Sequence, residues 1–318
     1  LGRSGKELGD HFRSHGYEAA RPSGWDPVER LKDQDIDGVE AEVLYTTLGM
    51  SLFGLADAEL QQACFSVYND WLAEFCAHDR RRLHGVALIS LADVGAGTRE
   101  LQRCARAGLK GGMIYGSAPA QRPYLSRDYD PFWAAAEDLE MPLSLHVFTR
   151  GNQGSQPSVE GPRTSEYMNF SRAYVRGIHE VQDSLADIIQ SGVLERFARL
   201  KIVSAENDTG WLPHFIYRLN HVFEKFGAFS NEAQPLTMKP GDYVRRQIWA
   251  TFQDDPVGPA LYQVFGEDNF MWASDFPHTD STWPHSRQVI DTSFQHVPEG
   301  ITRKIVFDNA NKLYRMGL

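Results

Sequence analysis

Three polar residues each end an apolar run of the sequence, and their types suit metal chemistry. His146 ends the run PLSLH, Glu206 ends KIVSAE and Asp275 ends FMWASD. An imidazole and two carboxylates form a ligand set that binds divalent ions such as Zn²⁺, Mn²⁺ or Fe²⁺. We therefore predict that these three residues hold a divalent metal, with Zn²⁺ as the first choice. Each residue taken singly is also compatible with a capping role or with a buried hydrogen bond.

Asp275 is the strongest single candidate for proton transfer. A carboxylate at the end of a strand can ligate a metal and can also accept a proton from water or from a substrate hydroxyl. His278 follows three residues later, after Phe276 and Pro277, and could orient a substrate or donate a proton. The alternative for His278 is a buried, hydrogen-bonded histidine in a tight proline turn.

Two arginines are candidates for binding a substrate carboxylate, because a guanidinium group can hold a carboxylate through two parallel hydrogen bonds. Arg218 lies in the amphipathic segment that follows Glu206, and Arg21 precedes the turn Pro-Ser-Gly-Trp. For both residues a surface ion pair is the alternative.

The elements that must position these residues alternate between strands and helices along the chain. Several strands are apolar throughout, which is typical of a parallel sheet buried on both faces. The pattern predicts an α/β fold, a (βα)₈ TIM-type barrel, in which polar residues at the carboxyl ends of strands face the active site. An open seven-stranded sheet is the alternative, but the glycine-rich phosphate turn expected of one is absent from the sequence. The predicted strands are 41–47, 84–91, 111–116, 142–148, 201–206, 247–252 and 270–275, and the helices between them include 57–79, 93–107, 130–140, 178–198 and 210–226.

A helix precedes the first of these strands, so we expect the first barrel strand to be missing from this chain, either because it lies upstream of Leu1 or because it is absent. We predict one barrel domain over residues 1–318 with an N-terminal arm over 1–24. The segment 149–176 is rich in Gly, Ser, Pro and Asn. It follows the strand that ends in His146, and we predict it to be a long active-site loop that acts as a lid.

Composition excludes several classes of function. The 318 residues carry 32 basic and 42 acidic side chains, a net charge of −10, which argues against nucleic acid or an anionic membrane as partner. The three cysteines form no C-x-x-C pair, which excludes a cysteine-rich zinc module. No apolar run is long enough to span a membrane, and we expect a cytoplasmic protein.

The chain resembles the amidohydrolase-related branch of the amidohydrolase superfamily, which includes α-amino-β-carboxymuconate-ε-semialdehyde decarboxylase and γ-resorcylate decarboxylase. The resemblance runs in family order across nearly the whole chain. It is carried by the segments WDPVERLKDQDIDGVEAEVLY (25–45), YNDWLAEF (68–75), YDPFWAAAEDLEMPLSLH (129–146), FARLKIVSAENDTGWLPHFIYRLNH (197–221), MWASDFPHTDSTWPHS (271–286) and KIVFDNANKLY (304–314).

This resemblance assigns roles to individual residues. It implies that His146 is the metal-ligand histidine of a middle strand and that Asp275 is the metal-binding aspartate of the last strand, where it also transfers protons. Glu206 occupies the position of a catalytic histidine, so it is a catalytic candidate of altered type. Arg218 matches an arginine that reaches into the neighbouring subunit to bind the substrate carboxylate, which implies a homodimer. The first-strand metal motif of the family is absent, in agreement with the missing strand.

We therefore expect a metal-dependent decarboxylase that acts on a small carboxylated aromatic or unsaturated acid. Two alternatives stay open. One is a metal-dependent hydrolase that cleaves a C–N, C–O or C–C bond with activated water. The other is a metal-free barrel without catalytic activity.

Overall fold

Seven parallel strands form a curved sheet in the part of the chain that the computed structural model describes, residues 16–151, 166–227, 236–278 and 280–318. The strands follow one another in chain order, and each pairs in parallel with the next. This arrangement, with helices between the strands, is that of a TIM-type barrel, and the predicted fold class is confirmed. The strands are Glu42–Leu44 (β1), Leu83–Leu88 (β2), Gly111–Ile114 (β3), Leu143–His146 (β4), Ile202–Ala205 (β5), Ile248–Phe252 (β6) and Phe270–Trp272 (β7).

Helices connect the strands and cover the outside of the sheet. The α-helices are Pro27–Asp37 (α1), Ala58–Ala77 (α2), Val94–Ala107 (α3), Asp130–Asp138 (α4), Glu166–Gln190 (α5), Val193–Arg196 (α6), Leu212–Phe226 (α7), Pro240–Gln247 (α8), Val257–Ala260 (α9), Ser286–Ser293 (α10), Glu299–Arg303 (α11) and Asn309–Tyr314 (α12). Short 3₁₀ turns occupy Gly16–Ala19, Pro22–Gly24, Leu48–Gly54 and Arg127–Tyr129, and a π-helical turn spans Lys304–Asp308.

Local sequence explains where the first helix begins and ends. The side chain of Asp26 accepts hydrogen bonds from the backbone N–H groups of Val28 and Glu29, which satisfies donors that the first turn leaves unpaired. Pro27 occupies the first helical position, where its missing N–H costs nothing. Gly38 ends the helix with φ 71°, a conformation that glycine adopts without strain.

The strands are buried because both faces of the sheet are covered. Every residue of β2, β3, β4 and β5 is buried, as the apolar runs of the sequence predict. Successive side chains point to opposite faces of a strand. Tyr45, which follows β1, therefore reaches the interior and makes a 2.8 Å hydrogen bond with Ser144 of β4. His146 lies two residues beyond Ser144 and shares its inward direction.

The segment predicted as a loop over 149–176 is shorter than the sequence suggested. Helix α5 begins at Glu166, because its amphipathic spacing extends further toward the N-terminus than the cluster of turn-forming residues indicated. Residues 152–165 lie outside the described part of the chain, as do residues 1–15 of the predicted arm, so the lid stays a prediction. None of the described helices combines the length and the apolarity needed to cross a membrane.

Candidate active site

The carboxyl ends of the strands bring the predicted site residues to one end of the sheet. His146 ends β4, Glu206 follows β5 directly, and Asp275 lies three residues beyond β7. All three line a single cavity of about 990 Å³, together with His278. The rule that placed these residues together in the sequence analysis, polar groups at the ends of parallel strands, therefore holds in the structure.

His146 contacts Glu206 across the ends of two neighbouring strands. Its Nε2 lies 3.1 Å from a carboxylate oxygen of Glu206, and its Nδ1 lies 2.9 Å from the carbonyl oxygen of Val147. The carbonyl can only accept, so Nδ1 carries a proton and donates it. Nε2 then faces the carboxylate of Glu206, where a shared proton or a bound cation would join the two atoms. Histidines that ligate metals have this same pattern, with one ring N–H donated to a carbonyl.

Glu206 is held in a strained backbone conformation with a paired carboxylate. Its φ of 57° lies in the left-handed region, which costs a non-glycine residue roughly 1–3 kcal/mol and is concentrated at functional sites. Its backbone N–H donates to Oγ1 of Thr251 at 2.9 Å. Burial acts to raise the pKa of this carboxyl, but the hydrogen bond with His146 and the nearby imidazoles outweigh burial and hold the pKa below its ordinary value.

Asp275 and His278 form a hydrogen-bonded pair that continues to Thr47. Nδ1 of His278 lies 2.7 Å from Oδ1 of Asp275, and its Nε2 lies 2.9 Å from Oγ1 of Thr47. The hydrogen bond to Asp275 raises the pKa of His278. The pKa of Asp275 is itself raised, because burial and the neighbouring Glu206 carboxylate outweigh the effect of His278. Asp275 also has a left-handed φ of 52°, so the two strand-end carboxylates share this strained conformation.

We call Glu206, Asp275 and His278 the acid cluster. Their potential ligand atoms all lie within 4.8 Å of one another. Two carboxylates and an imidazole suit Zn²⁺, Mn²⁺ or Fe²⁺. The sequence pointed to His146 as the imidazole ligand, whereas His278 lies inside the cluster and His146 borders it through Glu206.

Carboxylates gather around the acid cluster. Asp208 lies two residues beyond Glu206, and burial together with neighbouring carboxylates raises its pKa to about 6. An anionic substrate that enters alone would be repelled, since like charges interact strongly where water is partly excluded. A cation at the acid cluster would offset this repulsion for a carboxylate substrate.

The two predicted substrate-binding arginines lie apart from the acid cluster. Arg21 forms a bidentate ion pair with Asp33 and lies 4.7 Å above the ring of Trp283, at the border of the cavity. Arg218 is exposed on α7 and does not line the cavity. Their proposed roles toward a substrate stay predictions.

Sequence reasoning missed two residues that line the cavity near the acid cluster, Thr47 and Gln253. Thr47 lies beyond β1 and is hydrogen-bonded to His278, and Gln253 directly follows β6. Both line the cavity. The alternation of side chains along a strand could have found Gln253, because it follows Thr251 by two positions; Thr47 lies past the end of β1 and carries no such signal.

Comparisons with known proteins agree with this arrangement. The family model described as Amidohydrolase matches residues 13–316. A γ-resorcylate decarboxylase from Rhizobium radiobacter is 29% identical over 263 residues, which cover 78% of this chain and 76% of the relative. The crystal structure of 5-carboxyvanillate decarboxylase from Sphingomonas paucimobilis is 25% identical, with a TM-score of 0.71 and coverage of 90% of this chain and 82% of the other. A dihydroxybenzoic acid decarboxylase from a Polaromonas species, solved with bound manganese and the inhibitor 2-nitroresorcinol, gives a TM-score of 0.72 at 22% identity, with 91% and 86% coverage.

Proposed function

Because this chain belongs to the Amidohydrolase family, we propose that it is a metal-dependent decarboxylase of small hydroxylated aromatic acids. The observation that carries the proposal is the acid cluster, which faces a cavity at the carboxyl ends of the strands. The names of the similar proteins support the reaction class, since they are decarboxylases of γ-resorcylate, 5-carboxyvanillate and dihydroxybenzoic acid.

The acid cluster is the proposed site of a divalent metal, with His146 next to it. The charge of Glu206 and Asp275 suits a dication, and Nε2 of His146 lies 3.1 Å from the Glu206 carboxylate. When bound, such an ion supplies the positive charge that holds a substrate carboxylate and an adjacent hydroxyl. Mn²⁺ is the first ion to test because the similar Polaromonas enzyme contains it; the sequence alone favoured Zn²⁺.

The residues of this chain manage the proton. Decarboxylation of an aromatic acid requires a proton on the ring carbon that bears the carboxylate. The bond from that carbon to the carboxylate then breaks, CO₂ leaves, and the bonding electron pair restores the aromatic ring. The pair Asp275–His278 holds a proton at a 2.7 Å hydrogen bond beside the cavity, and the Thr47 hydroxyl fixes the other side of the imidazole. We assign proton delivery to this pair and the orientation of the imidazole to Thr47.

The decisive assay measures CO₂ release by the Mn²⁺-loaded protein from 2,6-dihydroxybenzoate and 5-carboxyvanillate. An amide and a lactone of similar size are assayed in parallel for hydrolysis. We expect CO₂ from at least one hydroxylated acid, loss of the activity after metal removal with a chelator, and recovery on addition of Mn²⁺. Hydrolysis of the amide or lactone without CO₂ release from any acid would replace the proposal by the hydrolase alternative.

We further propose that Arg218 serves a second copy of this chain. Its guanidinium is exposed on α7 and does not reach the cavity of its own subunit, so any substrate contact must be made across an interface. Light scattering should then report a dimer, and Arg218→Ala should raise KM for a carboxylate substrate. A monomer with unchanged KM in the variant contradicts this role.

A further inference from the structure

Gln253 lies between Glu206 and Asp275 among the residues at the carboxyl ends of the strands. It directly follows β6, and β6 lies between β5, which leads to Glu206, and β7, which leads to Asp275. Thr251, two positions earlier, contacts the backbone of Glu206. Since side chains two apart share a face of a strand, Gln253 points into the cavity, in agreement with its place in the cavity lining.

The carboxamide of Gln253 makes no hydrogen bond with the described part of the chain and lines the cavity. The residue is only 6% exposed, yet the described part of the chain provides no hydrogen-bond partner for its side chain. Buried Gln247, by contrast, donates to the carbonyls of Phe197 and Leu200 at 2.7 and 3.1 Å and accepts from Arg246. Because the amide faces the cavity, a bound ligand can complete its donor and acceptor hydrogen bonds.

We propose that the Gln253 carboxamide binds a hydroxyl group of the substrate ring and so selects hydroxylated aromatic acids. A carboxamide both donates and accepts hydrogen bonds, as a hydroxyl does, whereas the carboxylates on either side can only accept when ionised. The neutral amide also leaves the charge of the acid cluster unchanged. This inference takes its substrate class from the proposed function but concerns recognition only.

The test compares the binding of two probes, 2,6-dihydroxybenzoate and benzoate, by calorimetry in the presence of Mn²⁺. We expect the wild-type protein to bind the dihydroxy acid at least about tenfold more tightly, because a site group that hydrogen-bonds a substrate hydroxyl disfavours an analogue that lacks it. Gln253→Leu should lose most of that preference and keep its affinity for benzoate. The exposed Gln288→Leu is the matched control and should behave as the wild type.

Thermal unfolding separates recognition from a structural role. Because Gln253 makes no hydrogen bond within the described fold, Gln253→Leu should unfold at the same or a higher temperature than the wild-type protein. A lowered Tm, a full preference retained by Gln253→Leu, or no preference in the wild type would each overturn the inference.

These outcomes are distinct from those that test decarboxylation. Binding is measured without turnover, so a protein that selects the dihydroxy acid through Gln253 but releases no CO₂ contradicts the proposed reaction alone. CO₂ release with unchanged selectivity in Gln253→Leu contradicts the role of Gln253 alone.

Discussion

Two polar clusters lie near the carboxyl ends of the strands, and they differ in how their hydrogen bonds are satisfied. In the first, which we call the Gln61 cluster, Oε1 of Gln61 accepts from the hydroxyls of Ser90 and Tyr115 at 2.5 and 3.0 Å. Its Nε2 donates to the carbonyls of Leu52 and Phe53. Ser90 and Tyr115 follow β2 and β3, and all three side chains are almost fully buried.

The acid cluster at the ends of β5 and β7 has the opposite character. Its carboxylates lie close together, both have left-handed backbones, and the group opens onto the cavity. Position at a strand end is therefore not sufficient to mark function. What distinguishes the two clusters is that the Gln61 cluster completes its hydrogen bonds inside the fold, while the acid cluster keeps charge and strain that a ligand could compensate.

The largest effect should come from Asp275→Asn, which keeps the shape of the side chain and removes its charge. Loss of a metal ligand and proton carrier should lower kcat/KM for CO₂ release by about 10²–10⁴-fold. The free energy of unfolding should not fall, because burial and Glu206 disfavour the ionised carboxyl that is removed. Asp291→Asn, at an exposed position, is the control. Near wild-type activity in Asp275→Asn would contradict a catalytic role for the acid cluster.

Gln61→Leu should lower stability and leave activity unchanged, the reverse of Asp275→Asn. It removes the acceptor of the buried Ser90 and Tyr115 hydroxyls and a donor to the Leu52 and Phe53 carbonyls, and the free energy of unfolding measured with urea should fall by about 2–4 kcal/mol. The folded protein should keep its kcat and KM, since the Gln61 cluster does not line the cavity. Loss of activity in a fully folded Gln61→Leu protein would show that the first cluster also serves the reaction.

Thr47→Val tests how finely the acid cluster is positioned. Without the Thr47 hydroxyl, Nε2 of His278 loses its 2.9 Å partner, and kcat should fall by about three- to tenfold, as expected for one hydrogen bond. KM should change little, and Thr47→Ser should restore the rate. Equal losses in the valine and serine variants would indicate that packing, not the hydrogen bond, is responsible.

The smallest effect concerns thiols outside the cavity. Burial raises the pKa of Cys76 on α2 to about 12 and also raises that of Cys104 on α3, so both should resist a thiol reagent at pH 8. Cys64 is partly exposed and should react alone in the native protein. Unfolded protein, in which all three react, is the control; rapid labelling of Cys104 would mean that this side of the barrel opens.

The sequence predicted much of the fold because its signal was local. Apolar runs located all seven described strands, and the polar residues that end three of them located His146, Glu206 and Asp275. The start of α5 at Glu166 escaped prediction, since turn-forming residues obscured the beginning of its amphipathic spacing. Thr47 and Gln253 escaped because ordinary polar side chains acquire meaning only when neighbouring strands bring them to one layer. The sequence predicted His278 as a catalytic candidate, but its place beside both carboxylates depends on the geometry of the turn after Asp275.

Metal binding tests the central claim most directly. The full chain, freed of metal with a chelator, is titrated with Mn²⁺ by calorimetry, and the same titration is repeated with Asp275→Asn. We expect one Mn²⁺ to bind per chain and the variant to bind it at least about tenfold more weakly. Absence of stoichiometric binding in the wild-type protein, or equal affinity in the variant, would contradict the assignment of the acid cluster as a metal site and favour a barrel without metal.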